Sequence, residues 1–412
     1  MRTVIAAVTT LTALGCGISS DADVQDGGSR AQPSSIRDSL GVTILEYQSL
    51  EGADTSSWRI DLADSVRIGL PGLTDGPTEY HIGMTRGAVR LPDGRIAVAD
   101  ALAHTLRIFE PDGSFSESVG RRGEGPGEID ALRGLVRFGG DSLLVLDRQA
   151  KWTLLDGLGR FVRSGRLDMA YWPGITYPAI MDPFADGSLL VAHSPHSESS
   201  QLEWGVQQIS TARYYRAHRS GAVLAEFGTF PGGTNFMAEG QAFNLPYRWV
   251  SFSPGGRPLA LAMGNRFYWS DEGLWEVRIF TADAILERII RMDREALESQ
   301  ATPPLGGSAE PNLRPSVKQL FEEVRSAVGV GPFKTFVVDE LGNIWFREQI
   351  DRDGDPEIPA RWYVFDPDGL LQHVVRLPYN WQSLSIGADY VLALDRDEFG
   401  VDTYMFTPLI RN

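Results

Sequence analysis

The densest run of candidate ligands is Asp351-Arg-Asp353-Gly-Asp355-Pro-Glu357, where carboxylates alternate along a turn-forming segment. Calcium takes several oxygens from flexible acidic loops, so Asp351, Asp353 and Asp355 are candidate metal ligands. The glycine stands fourth rather than sixth and no glutamate follows in EF-hand register, so a solvated acidic loop is the competing reading. His104, His193 and His196 lack the close spacing of a zinc site. Asp100, Asp147 and Asp395 each end an apolar run. They could converge as ligands, or cap turns by accepting backbone N–H groups. Arg121 and Arg122 could hold an anion through charge-assisted hydrogen bonds, or form surface ion pairs. No Gly-x-Ser-x-Gly, phosphate loop or helix-opening Gly-x-Gly-x-x-Gly occurs, and no catalytic residue and no cofactor is predicted beyond the calcium option.

The elements that would position these residues form a repeat. Gly87-Ala-Val-Arg-Leu-Pro-Asp-Gly-Arg-Ile-Ala-Val-Ala-Asp100 aligns without gaps on Gly134-Leu-Val-Arg-Phe-Gly-Gly-Asp-Ser-Leu-Leu-Val-Leu-Asp147, at an offset of 47. Each is an apolar strand, a tight turn and a second strand. A second hairpin follows at Leu106–Phe115 and Thr153–Phe161 and recurs at Trp362–Leu371; its Pro-Asp-Gly turn has Pro to fix φ and Gly for positive φ. Four strands per unit and this period predict propeller blades. The pattern yields six: 85–121, 134–167, 178–228, 249–290, 333–378 and 383–410. The last has three strands, and Trp58–Leu62 or Val66–Gly69 would supply the fourth, closing the ring and removing open sheet edges. The fold class is therefore all-β, a six-bladed β-propeller over 57–412. A helical insertion, Pro315–Val328, is expected between blades four and five.

The connector Val119-Gly-Arg-Arg-Gly-Glu-Gly-Pro-Gly-Glu128, after an Ile-Phe-Glu-Pro-Asp-Gly-Ser-Phe hairpin, resembles the six-bladed β-propeller lipoproteins of environmental and gut bacteria and, more remotely, NHL-repeat proteins. The resemblance implies fold and export and no shared activity.

In such a blade, lettered A to D from the axis outward, A–B and C–D turns share one face. B–C loops and the connectors between blades share the other. The long insertions, His193–Thr211, Gly264–Trp275, Glu348–Ala360 and 291–332, are assigned to that second face. Binding concentrates on loops held by a rigid scaffold. The candidate binding face comprises Asp100, His104, Arg121, Arg122, Glu124, Asp147, Arg148, His193, Glu348, Asp395 and Arg396, for a protein, glycan or small-molecule ligand. Trp152, Trp172, Trp204, Trp249, Trp269, Trp275 and Trp345 could stack on sugars or pack between blades.

Near the N-terminus Arg2 precedes an apolar run, Val4–Leu14, and then Ala13-Leu14-Gly15-Cys16, which resembles a bacterial lipobox with its usual Leu displaced by one. Residues 1–15 are expected to be a signal peptide, Cys16 a lipidation site that anchors the protein to a membrane, and 16–56 a polar tether. An ordinary cleaved signal and an uncleaved anchor are the alternatives. With one Cys, there is no disulfide framework. A net charge of −16 argues against nucleic acid as a partner. The reading that follows is a non-catalytic binding or scaffold module at the cell envelope, periplasmic or on the outer membrane. The alternative is a metal-dependent hydrolase or lyase of gluconolactonase or NHL-lyase type, which would need ligands converging from several blades.

Overall fold

The computed structural model describes residues 32–53, 57–70, 76–139, 141–175, 178–193, 207–238, 241–244, 260–271, 276–293, 333–348, 358–397 and 400–411. They form six sheets arranged as the blades of a propeller, antiparallel but for one pair in blade four. Blade one runs outward through Thr85–Arg90, Ile96–Asp100, Thr105–Phe109 and Phe115–Val119, and blade two through Leu132–Phe138, Ser142–Asp147, Lys151–Leu155 and Phe161–Arg166. Strand composition follows radius. Strand B of blade one, Ile-Ala-Val-Ala-Asp, is buried throughout because blades cover both its faces, whereas strand D, Phe-Ser-Glu-Ser-Val, is largely exposed. Blade five comprises Phe333–Val338, Ile344–Glu348, Ala360–Phe365 and Leu371–Leu377.

Ring closure uses both expected segments. Blade six contributes Trp381–Ile386, Tyr390–Arg396 and Asp402–Arg411, and its outer strand is Trp58–Ile60 followed by Val66–Ile68, paired with opposite ends of Asp402–Arg411. The closing piece also touches blade one. A Cβ on Gly113 would lie 2.7 Å from the Arg67 carbonyl, and Gly113 has φ +85°, so glycine is required twice over.

Three expectations are corrected. Part of the expected tether is folded: Ser35–Ser39 and Val42–Tyr47 form a hairpin, and Val42–Tyr47 pairs in parallel with Leu286–Met292, the outer strand of blade four. Tyr47 is fully buried between blades four and five, where it donates to the Gly369 carbonyl at 2.9 Å and accepts from the Leu371 N–H at 3.1 Å. Blade four is also shifted. Its inner hairpin is Ala260–Met263 with Arg266–Asp271, so Gly264 lies in the A–B turn and 266–271 is strand B rather than insertion. The apolar run Leu261-Ala-Met and the aromatic run Phe267-Tyr-Trp supply two buried faces, which outweigh the Ser-Pro-Gly-Gly turn signal upstream. Blade three continues beyond residue 228. After Ala179–Pro183 and Leu189–His193 come Gln207–Ala217, Val223–Ala238 and a fifth strand, Gln241–Asn244. The helix expected at 315–328 lies outside the described residues, as do Cys16, His196, Asp351, Asp353 and Asp355.

Candidate functional site

Inner strands of neighbouring blades meet around the axis. The face carrying blade connectors is where the strand-ending aspartates fall. Asp100 is fully buried, and its oxygens accept from the N–H groups of Gly83, Met84, Leu102 and Ala103 and from Arg107 Nε at 3.0 Å. Asp147 repeats the device in blade two, accepting from Asp130, Ala131 and Arg148 N–H groups. Each carboxylate fastens the incoming connector to its blade. Asp395 does so through side chains: Asn380 donates to it and Arg67 of the closing strand lies at 3.0 Å. Glu348, the blade-five counterpart, accepts from the N–H and Nε of Arg361. Arg396 forms a two-pronged pair with Asp402.

The signature connector is organised from within. Buried Lys151 donates to the carbonyls of Glu124 and Glu128, while Glu128 turns back to accept from the Gly125 N–H and pairs with exposed Arg121 at 2.8 Å. These bonds hold the Glu128 carboxyl below the usual carboxylate range. A Cβ on Gly123 would lie 2.1 Å from a Glu128 oxygen, which accounts for that glycine. Arg122 and Glu124 are exposed on the same loop. His104 occupies the B–C turn of blade one at φ +56°, with its Nδ1 buried and unpaired.

His193 lies elsewhere. With Arg213, its cross-strand neighbour, it lines a cleft of about 390 Å³ together with Tyr171, Trp172, Thr211 and Tyr215. The floor is fixed by the buried Trp172, packed edge-on to Tyr215 with centroids 5.2 Å apart, and Tyr171 is half exposed at the rim. Of the other candidate tryptophans, Trp152, Trp269 and Trp345 are buried between blades, and Trp204, Trp249 and Trp275 lie outside the described residues. Among the described residues no three His, Cys, Asp or Glu side chains gather as a metal site.

Around the axis the two ends differ. At the turn end, Arg90 pairs with Asp389 of blade six at 2.9 Å, and Arg137 reaches Glu340 of blade five at 3.1 Å. Glu340 also accepts from Tyr390, whose phenol burial pushes up to about 12. At the connector end stand Arg86 and Arg133, one residue before the aligned Gly87 and Gly134, with Arg148 beside them. Burial lowers the basicity of Arg86 and Arg133, and repulsion from Arg148 lowers it further. Between the two ends, Asp182 of blade three accepts the Ala262 N–H of blade four at 3.3 Å. Its own surface is only half-buried, but dense protein surrounds it. That surrounding shell governs a charge, and it pushes the carboxyl up to about 7. Of the sequence-predicted residues, only Asp147 and Arg148 join this arrangement. Arg86 and Arg133 went unnoticed, although extending the 47-residue alignment by one position pairs them.

The architecture defines a six-bladed β-propeller, and a family described as 6-bladed beta-propeller matches residues 82–172, blades one and two. No curated protein matches the sequence. Similar solved structures include a Bacteroides fragilis protein described as exported (12% identity, TM-score 0.46, covering 89% of this chain and 99% of that one). They also include a Xanthomonas campestris gluconolactonase (13% identity, TM-score 0.41, covering 83% and 97%) and virginiamycin B lyase of Staphylococcus aureus (9% identity, TM-score 0.39, covering 85% and 99%). Among the described residues no helix is long and apolar enough to cross a membrane.

Proposed function

We propose that this chain is an envelope-displayed binding propeller, exported and held to a membrane through a lipid on Cys16, that engages its ligand on the connector face without transforming it. The observation that carries the reading is the employment of the connector-face carboxylates. Asp100 and Asp147 spend their oxygens on backbone N–H groups and, for Asp100, on Arg107. A carboxylate so occupied is a structural fastener and a poor metal ligand or base. The ligand-sized feature on that face is the blade-three cleft, where Tyr171 offers an aromatic surface and Arg213, Thr211 and His193 offer polar ones. Such a mixture suits a glycan: sugar C–H faces stack on tyrosine and hydroxyls bond to the polar wall.

Binding to a glycan array, followed by titration of the hits, tests this reading. Tyr171→Ala and Arg213→Ala should each weaken binding about tenfold with the fold retained. Metal retained through purification together with turnover of a lactone would replace the binding reading with the hydrolase one. Mass spectrometry of protein from its native membrane should find an acylated Cys16 as the first residue, and an unmodified N-terminus elsewhere would remove the anchor.

A further inference from the structure

The blade-three cleft is built from two pieces of chain. One is the connector from blade two, where Asp168 caps the helical turn Met169–Tyr171 by accepting the Ala170 N–H at 2.9 Å. That turn delivers Tyr171 and Trp172 to the cleft, with Trp172 fixed edge-on against Tyr215. The other is the outer half of blade three. Its strand Gln207–Ala217 places Thr211, Arg213 and Tyr215 at alternate positions, on one face of the sheet. His193 stands opposite Arg213 on the neighbouring strand and joins the same wall.

The charge on this wall is one-sided. None of the ten residues lining the cleft is acidic, in a chain with 54 Asp and Glu against 38 Lys and Arg. Arg213 is exposed and forms no salt bridge among the described residues. Two acids of the adjoining elements leave it unbalanced: Asp168 is engaged in its cap, and Glu226, opposite Tyr215, lies outside the lining. The floor holds a second unmet donor, since the indole Nε1 of Trp172 is buried with no acceptor among the described residues. Unpaired donors of this kind are uncommon in folded proteins and costly to keep.

We propose that the glycan held in this cleft is acidic: a uronate-type sugar whose carboxylate pairs with Arg213 while its ring lies against Tyr171. The inference rests on the glycan reading of the cleft and names the class of sugar. A guanidinium offers paired donors matched to the two oxygens of one carboxylate. A heavily sulfated chain would need several cations, and the lining has one arginine. The net charge of −16 also repels long polyanions, so the ligand carries its charge on one or a few sugars. Tyr171 and Val223, both exposed in the lining, supply the apolar surface that ring C–H groups need. At about 390 Å³ the cleft falls within the range of small-ligand sites, roughly 300–1,000 Å³.

The test is calorimetric titration of the whole protein with oligosaccharides of glucuronate, galacturonate and mannuronate, each beside its methyl ester and its neutral parent sugar. Esterification removes the charge and keeps the ring, so it isolates the carboxylate. At least one acid should bind about tenfold or more tighter than its ester. Arg213→Gln should bring that acid down to the affinity of the ester and leave the ester's own affinity unchanged. Arg213→Lys should restore part of the preference, because it returns the charge without the fork. Tyr171→Ala should weaken acid and ester alike, which places both in the cleft. Arg213 is exposed, so its variants should melt with the parent. Equal binding of acid and ester in the cleft would overturn the acidic-sugar assignment and leave the glycan reading standing. A sulfated analogue that binds tighter than the uronate would do the same. If no sugar binds, acidic or neutral, the glycan reading itself fails and this inference falls with it.

Discussion

The two ends of the inner strands of blades one and two make an internal experiment. Arg90 and Arg137 stand at the turn end, Arg86 and Arg133 at the connector end, each pair related by the same 47-residue offset. The repeat therefore supplies both ends with like charge. What differs is the opposing side. Blades six and five present Asp389 and Glu340 at the turn end, while the carboxylates near the connector end are drawn into backbone and arginine contacts. A repeat fixes which charges occur, and the blades that depart from it decide whether they are balanced. At the turn end that match makes a strut between blades.

The comparison can be broken most severely at the fasteners. Asp100→Ala strands several N–H groups and leaves Arg107 without its buried partner, so unfolding free energy in urea should fall by about 3–4 kcal/mol. A loss below about 1 kcal/mol would mean that the carboxylate is spare and available for chemistry.

Asp182 sharpens the comparison through pH. Its folded pKa is raised, so its contribution to stability is full below the unfolded value and is lost as pH climbs toward about 7. Asp182→Asn, which keeps an acceptor for the Ala262 N–H, should therefore be more stable than the parent by about 2 kcal/mol at pH ~8, with the gap closing near pH ~4. An advantage that does not change with pH would contradict an enclosed, titrating carboxyl.

Glu340→Gln should cost about 1 kcal/mol, since Arg137 and Glu340 are each about a third exposed and such pairs are only modestly strong. At the opposite end, Arg86→Gln should cost nothing measurable or add slightly to stability, because burial and repulsion from Arg148 disfavour the charge. Equal losses in the two variants, by thermal melting, would show that the ends are electrostatically alike. The smallest effect belongs to Arg121→Ala, at a pair whose arginine side chain is 81% exposed, where stability should change by less than about 0.5 kcal/mol. A larger loss would give the signature loop a stabilising role beyond the Lys151 and glycine contacts.

Blade count and ring closure were legible because strand alternation and Pro-Asp-Gly turns are local signals, and because a three-stranded final unit demands a partner. Blade four was misplaced because Ser-Pro-Gly-Gly is a strong local turn signal, whereas burial of Phe267 and Trp269 against blade three is settled only in three dimensions. The hairpin at 35–47 was hidden for a similar reason: Tyr47 earns its place through Gly369 and Leu371, more than 320 residues away. Asp100 and Asp147 were legible as a recurring pair, with capping as one of two readings. Glu128 folding back onto Gly125, and the lack of a counter-charge for Arg86, depend on approach distances that no spacing rule supplies.

The hairpin on blade four has a geometric consequence for a membrane-bound molecule. If Cys16 carries the proposed lipid, it stands 19 residues, a contour of at most about 65 Å, before a hairpin fixed to the outer rim of the ring rather than to either flat face. A disc moored by its rim can swing edge-on to the bilayer, leaving both faces open to the surrounding fluid. Moving the mooring point to another blade would change which face looks outward without altering a single binding residue.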